Sequence, residues 1–145
     1  MISCLVRALS NGYELDDDVA RIDRVAVHRY LSDESYWAAG RPREMIDELI
    51  ATAARVVGLY APGGSQVGFA RVVSDGHTVS YLADVYVLEG ARGNGFGLEL
   101  VRFAVDQEPF SHTKFVLHTR DMHRLYAKLG FGEPDERLME RWPGT

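Results

Sequence analysis

The sequence predicts an α/β fold of the α+β type, in which a mostly antiparallel, twisted sheet of six to seven strands is flanked by about four helices. Three observations predict it. Two helical patterns come early in the chain and are followed by strand patterns separated by tight turns, the signature of hairpins. A strand over residues 79–88 then runs through a glycine-rich loop into a helix over residues 97–107. Short strand and helix patterns continue to the C-terminus with no internal repeat or linker. With 145 residues, 46% of them hydrophobic, the chain reads as one domain over 1–145 that is large enough to bury a core.

Each element has its own signal. Ile2–Leu9 reads as a first strand, turned by Ser10-Asn11-Gly12. Asp16-Asp17-Asp18 precedes a periodic segment, where its charge suits a helix N-terminus better than a metal site. Val19, Ile22, Ala26 and Tyr30 mark one face of a helix to about Leu31. A polar and aromatic connection, Ser32–Trp37, and then Gly40-Arg41-Pro42 lead into a second helix to about Ala54. Pro42 suits its first turn, and Met45, Ile46, Leu49, Ile50 and Ala53 face the core. Arg55–Ala61 and Gln66–Ser74 flank Pro62-Gly63-Gly64-Ser65 as a hairpin, and Asp75-Gly76-His77 turns into the strand over 79–88. In the helix over 97–107, Leu98, Val101 and Val105 form one stripe and Glu99, Arg102 and Asp106 another; Pro109 follows it. Lys114–Thr119 is a strand. Asp121 is placed to cap a short helix carrying Leu125, Tyr126 and Leu129, and Gly130 sits where a helix end wants positive φ. Phe131 onward, with Leu138–Trp142, predicts one or two closing strands.

Composition narrows the function. A net charge of −5 argues against a nucleic-acid or anionic-membrane partner, both of which want a basic face. The single Cys4 has no internal disulfide partner, no secretory signal is visible in Met1–Leu9, and no apolar run reaches spanning length, so the chain reads as cytoplasmic. The five histidines show no metal-ligand spacing, and Gly63-Gly64-Ser65-Gln66-Val67 lacks the last glycine of a nucleophile elbow.

The strongest chemical signal is Arg92-Gly93-Asn94-Gly95-Phe96-Gly97, between a strand and a helix start. Unpaired N–H groups at a helix start and the helix dipole make such a loop an anion cradle, and glycine permits close approach. It is not a nucleoside-triphosphate loop, because no Gly-Lys-Ser/Thr follows, and not a dinucleotide fingerprint, because Leu98 stands where the third spaced glycine is required. A plain strand-to-helix turn is the alternative. The remaining pattern, Arg-Gly-x-Gly-x-Gly after a strand ending in Val-Leu-Glu, resembles the acetyl-CoA loop of the GNAT N-acetyltransferase superfamily. A second mark, Leu125-Tyr126-Ala127-Lys128-Leu129-Gly130-Phe131, is similar to the family's Leu-Tyr-x-x-x-Gly-Phe segment and falls about thirty residues later, as it does there. The predicted element order matches the GNAT fold along nearly the whole chain. The stretches Tyr30–Trp37 and Thr119-Arg120-Asp121-Met122-His123 look like a small bacterial subgroup.

The resemblance implies acetyl transfer from acetyl-CoA, with no metal, to a primary amine of a small molecule or peptide, by direct transfer in a ternary complex; a non-catalytic acyl-CoA-binding module is the alternative. It implies that Arg92, Gly93, Asn94, Gly95, Phe96 and Gly97 bind the pyrophosphate and that the backbone of Val85, Tyr86 and Val87 holds the pantetheine arm. Asp121 and His123 stand near the position of a coenzyme-contacting asparagine. Tyr126 matches the tyrosine beside the coenzyme sulfur and is the candidate acid, with core packing as the alternative. Asp84 is the candidate base, on the argument that burial raises its pKa; ordering water or a substrate ammonium is the alternative. Tyr30, Asp33, Tyr36, Trp37 and His118 are candidates for the acceptor site, with a hydrophobic plug between the two helices as the alternative for the aromatics. Relatives often dimerise through edge strands or helices, so a homodimer is a further implication.

Overall fold

The computed structural model describes residues 4–144. A six-stranded mixed sheet runs in chain order: β1 (Val6–Ala8), β2 (Glu14–Asp16), β3 (Arg55–Tyr60), β4 (Gln66–Ser74), β5 (Val79–Val87) and β6 (Lys114–Val116). All neighbours pair antiparallel except β5 and β6, which are parallel. Helices α1 (Arg24–Asp33) and α2 (Arg43–Thr52) follow β2; α3 (Phe96–Val105) joins β5 to β6, and α4 (His123–Ala127) follows β6.

The sheet divides two cores. On the α3 side, Leu15, Val57, Leu59, Ala70, Val72 and Leu82 pack on Leu100, Val101, Phe103 and Ala104. On the α1–α2 side, Val56, Phe69 and Tyr86 pack on Val27, Leu31, Ile46 and Ile50. A strand alternates faces with period two, and one irregularity matters here. Phe69 faces Tyr86 and Arg71 faces Ala83, so β5 carries one extra residue between them. Leu82 packs on the α3 side before this bulge, whereas Val85 and Val87 do so after it. The extra residue switches the parity of the strand, as a one-residue shift must. Asp84 lies in the bulge at φ 57, in the left-handed region that Asn and Asp tolerate best.

The N-terminal elements differ from expectation. The predicted first strand is observed at Val6–Ala8, and residues 2 and 3 of that prediction lie outside the described residues. Glu14–Asp16 forms an additional strand, pairing both β1 and β3. The helix expected from Val19 begins only at Arg24, capped by Asp23, whose side chain accepts from Ala26 N at 3.0 Å. Val19–Arg21 is instead one 3-10 turn capped by Asp18. The acidic run is absorbed by local bonds: Asp16 accepts from Arg21 at 3.0 Å, Asp17 pairs with Arg55 at 3.3 Å, and Asp18 caps.

Two further expectations are corrected. Asp121 does not cap α4; Thr119 Oγ1 accepts from Met122 N at 3.0 Å there, because the helix starts two residues after Asp121. No strand forms among the described residues after α4. Gly132 and Pro134 disfavour a ladder, and Asp135 turns the chain by accepting from Arg137 N at 2.8 Å. Gly130 does close the last helix at φ 90.

Candidate active site

β5 and β6 pair only over three positions, Val79 with Lys114, Ser80 with Phe115 and Tyr81 with Val116. Beyond Tyr81 the two strands part, and Leu82–Val87 keep a backbone edge with no partner strand on that side among the described residues. The gap opens toward the glycine loop at the end of β5.

In that loop Gly93 (φ 85) and Gly95 (φ 76) hold left-handed conformations, with nothing within 4 Å of the space a Cβ would take. Gly97 serves packing instead, since a Cβ there would lie 3.3 Å from Leu125 of α4. Among the described residues, the N–H groups of 93–98 donate to no protein acceptor; the first one bonded is Glu99 N, to Gly95 O at 3.3 Å. These are the orphan donors of a helix start, extended by the loop before it. Arg92 is oriented beside them: its Nε donates to Val87 O at 2.8 Å and its Nη2 to Tyr30 Oη at 3.3 Å. Tyr30 in turn stacks on Tyr86 with ring centroids 4.0 Å apart. Tyr30, expected at the acceptor site, thus stands beside the loop arginine. Asn94 turns its amide inward to Ala91 O at 3.3 Å, and the Phe96 ring is in the core against Tyr13. Of Phe96, only the backbone faces the loop's open side.

On the α1–α2 side, Asp84 is 6% exposed and its carboxylate is surrounded by donors. Arg71 Nε donates to Oδ2 at 2.8 Å, Arg41 Nη1 reaches Oδ2 at 3.1 Å and Oδ1 at 3.2 Å, and Trp37 Nε1 donates to Oδ1 at 2.8 Å. A carboxylate has about four acceptor positions, and these contacts fill them. The connection that delivers Trp37 and Arg41 is itself pinned. Ser35 Oγ donates to Leu31 O at 2.6 Å and accepts from Ala38 N at 3.1 Å, and His28 Nε2 lies 3.0 Å from Arg41 O. His28 therefore holds this backbone.

Tyr36 and Trp37 are half-exposed and meet edge to face at 5.1 Å. Tyr36 Oη accepts from Arg120 N at 3.1 Å, and the Arg120 guanidinium covers the Tyr36 ring at 3.9 Å. Asp33 is exposed on the far end of α1, with no bond to this group. Tyr81, on the same face as Asp84, meets His118 Nδ1 at 2.5 Å, and His118 Nε2 is bonded to Glu140. Burial, then Asp84, then Glu140 push the Tyr81 hydroxyl above its ordinary pKa.

Tyr126, on α4 across the gap, is 9% exposed and packs edge to face on Phe131 at 5.7 Å. Burial, and secondarily Tyr36, push its pKa up to about 12. Its hydroxyl has no partner among the described residues. Asp121 and His123 are both exposed at the α4 start; Asp121 lies 3.9 Å from Arg120. Among the described residues no group of three or more His, Cys, Asp or Glu is arranged for a metal, and no helix is long and apolar enough to cross a membrane.

Sequence reasoning singled out Asp84 without its partners Arg41 and Arg71, and His118 without Tyr81 and Glu140. Arg71 did carry a signal: it is the one charged residue within the apolar strand pattern Val67–Val73.

The family model of the acetyltransferase (GNAT) family matches residues 24–131. A curated relative from Gibberella zeae, named only provisionally as an acetyltransferase, is 28% identical over 139 residues, covering 81% of this chain and 78% of that protein. A crystal structure from Xanthomonas campestris, of a protein assigned in the same provisional way to the GNAT family, is 35% identical with a TM-score of 0.81, covering 98% of this chain and 94% of that one. One from Deinococcus radiodurans, at 20% identity and a TM-score of 0.70, covers 93% and 92% and shares the fold.

Proposed function

The chain belongs to the GNAT family of acetyltransferases, and on that premise we propose that it moves an acetyl group from acetyl-CoA directly to a primary amine in a ternary complex. The observation that carries this reading is the run of unpaired N–H groups over 93–98, set where the edge of β5 is unpaired. Acetyl-CoA supplies the acetyl group already activated as a thioester. The fit is physical: donors, a fixed guanidinium and open space at Gly93 and Gly95 suit a pyrophosphate. The edge of β5 at Val85, Tyr86 and Val87 pairs with no strand among the described residues and, with Val87 O also accepting from Arg92 Nε, suits the amide groups of a pantetheine arm. Asn94, Phe96 and Gly97 shape the loop through their backbone and packing, and Asp121 and His123 flank the α4 start on the exposed side.

Tyr126 is the donor to the departing sulfur. A phenol held at about 12 stays neutral near pH 7, so it offers a hydrogen bond more readily than it gives up its proton. Asp84, expected as the base, is assigned a positioning role: accepting a proton there would break contacts to two guanidinium groups and an indole. The amine proton is assigned to the Tyr81–His118 pair: it passes to the Tyr81 hydroxyl, directly or through water, as that hydroxyl gives its own proton to His118 Nδ1, while His118 Nε2 stays on Glu140. Trp37 and Tyr36 supply the apolar wall for the acceptor, and Tyr30 and Asp33 lie outside it.

Release of CoA in the presence of an amine panel tests the reading. Tyr126→Phe is expected to lower kcat about a hundredfold while acetyl-CoA affinity stays close to wild type. An unchanged kcat removes the assigned donor.

A further inference from the structure

The group around Asp84 has an unequal charge balance in a poorly solvated place. Side-chain exposure is 2% for Asp84, 11% for Arg71 and 24% for Arg41. Two guanidinium groups thus share one carboxylate, and among the described residues neither has another carboxylate within 4.0 Å. Arg71 spends Nε on Asp84 and Arg41 spends Nη1, so both keep N–H donors that no side chain uses. Leaving a positive charge without a counter-charge away from water is costly, and a guanidinium fork is shaped for a carboxylate or a phosphate. The remaining charges nearby are more exposed and more strongly screened: Arg120, with Asp121 3.9 Å away, and Glu140 on His118.

We propose that the acceptor is an amine that itself carries an anionic group, a carboxylate or a phosphate, which binds as the second counter-ion of Arg41 and Arg71. This deepens the acetyltransferase reading and rests on it. Arg41, the more exposed of the two and the one beside Trp37, is the specificity-determining residue. An acceptor bound there lays its apolar part on Trp37 and Tyr36 and keeps its amine toward Tyr81 and His118. The chain as a whole is acidic, with a net charge of −5, so local pairing rather than the overall field selects such a substrate.

The experiment measures CoA release with matched amines: α-amino acids against their decarboxylated amines, and O-phosphoethanolamine against ethanolamine. Wild type is expected to favour the anionic member of at least one series by about tenfold or more in kcat/KM; the series in which this happens identifies the carboxylate or the phosphate. Arg41→Gln is expected to erase that preference by lowering kcat/KM for the anionic amine about tenfold more than for its neutral match. Because it leaves Asp84 paired one to one with Arg71, the variant is expected to stay folded and to bind acetyl-CoA as wild type does. The proposal is overturned if neutral amines are used as well as anionic ones, if Arg41→Gln lowers both members equally, or if a protein that binds acetyl-CoA turns over no anionic amine. Failure to bind acetyl-CoA at all removes the underlying acetyltransferase reading, and this proposal with it.

Discussion

At Asp84 a single side chain ties three segments together: β4 through Arg71, the α1–α2 connection through Trp37 and Arg41, and its own bulge in β5. Asp84→Asn keeps the shape and tolerates φ 57, so it isolates the charge. Removing one partner of a buried ion pair costs roughly 3–5 kcal/mol, and urea unfolding of Asp84→Asn is expected to show a loss of that size. A change below about 1 kcal/mol would make the cluster a solvated one. Buried phenols give a second outcome. Burial pushes Tyr126 to about 12 and drives Tyr60 and Tyr86 well above the ordinary 10. A raised pKa in the folded state means that the unfolded chain loses these protons first. Their contribution is therefore full below pH about 10 and is lost as pH climbs toward about 12. Urea midpoints measured at rising alkaline pH should fall over that window, and Tyr126→Phe should flatten part of the slope. Arg92 and Tyr126 were singled out because a motif marked them, and the structure sets Arg92 beside the glycine loop and Tyr126 on α4. The partners of Asp84 were not, because they come from another strand and from a loop 43 positions away, and only the bulge turns them to one side.

At the level of elements, glycines differ in how much room the structure leaves beside them. A Cβ at Gly58 in β3 would lie 2.4 Å from the Tyr60 hydroxyl, and Tyr60 is fully buried. Gly58→Ala is therefore expected to destabilise by about 1–3 kcal/mol through forced repacking, read by thermal or urea unfolding. Gly95 is the opposite case, with open space around it. Gly95→Trp is expected to leave the fold marginally weaker, by about 1–2 kcal/mol for a non-glycine residue in the left-handed region, and to abolish acetyl-CoA binding by calorimetry. Retained binding would move the pyrophosphate elsewhere. Element positions were readable where periodicity was strong: α2, the β3–β4 hairpin, β5 and α3 stand close to where their patterns put them. The start of α1 was misread because Val19 and Ile22 continue its apolar period, while Asp18 and Asp23 each cap a separate turn. The closing strands were misread because Leu138 and Trp142 look like strand residues, yet Pro134 and the Asp135 turn interrupt the ladder.

Across the whole molecule, the parallel pairing of β5 with β6 is the feature on which the site depends. It ends after Tyr81, so the sheet parts where the glycine loop, Tyr126 and the Asp84 cluster converge from α3, α4 and the α1–α2 connection. The bulge in β5 then sends Val85 and Val87 to one core and Asp84 and Tyr86 to the other face. The fold class and the position of the glycine loop were legible because a strand, a glycine loop and a helix are consecutive in the chain. The group around Asp84 and Tyr81 was only partly so, because Trp37, Arg41, Arg71 and His118 reach it from separate segments of the chain. The central claim is that 93–98 is a coenzyme cradle, and thermal unfolding with and without acetyl-CoA tests it most directly, with ATP and NAD as controls. At about a hundred times its Kd, a ligand adds about 2.7 kcal/mol, which raises Tm by several degrees for a domain of this size. The account predicts that rise with acetyl-CoA and free CoA and none with the controls. An unchanged Tm at millimolar acetyl-CoA would contradict it and leave the glycine loop a turn between a strand and a helix.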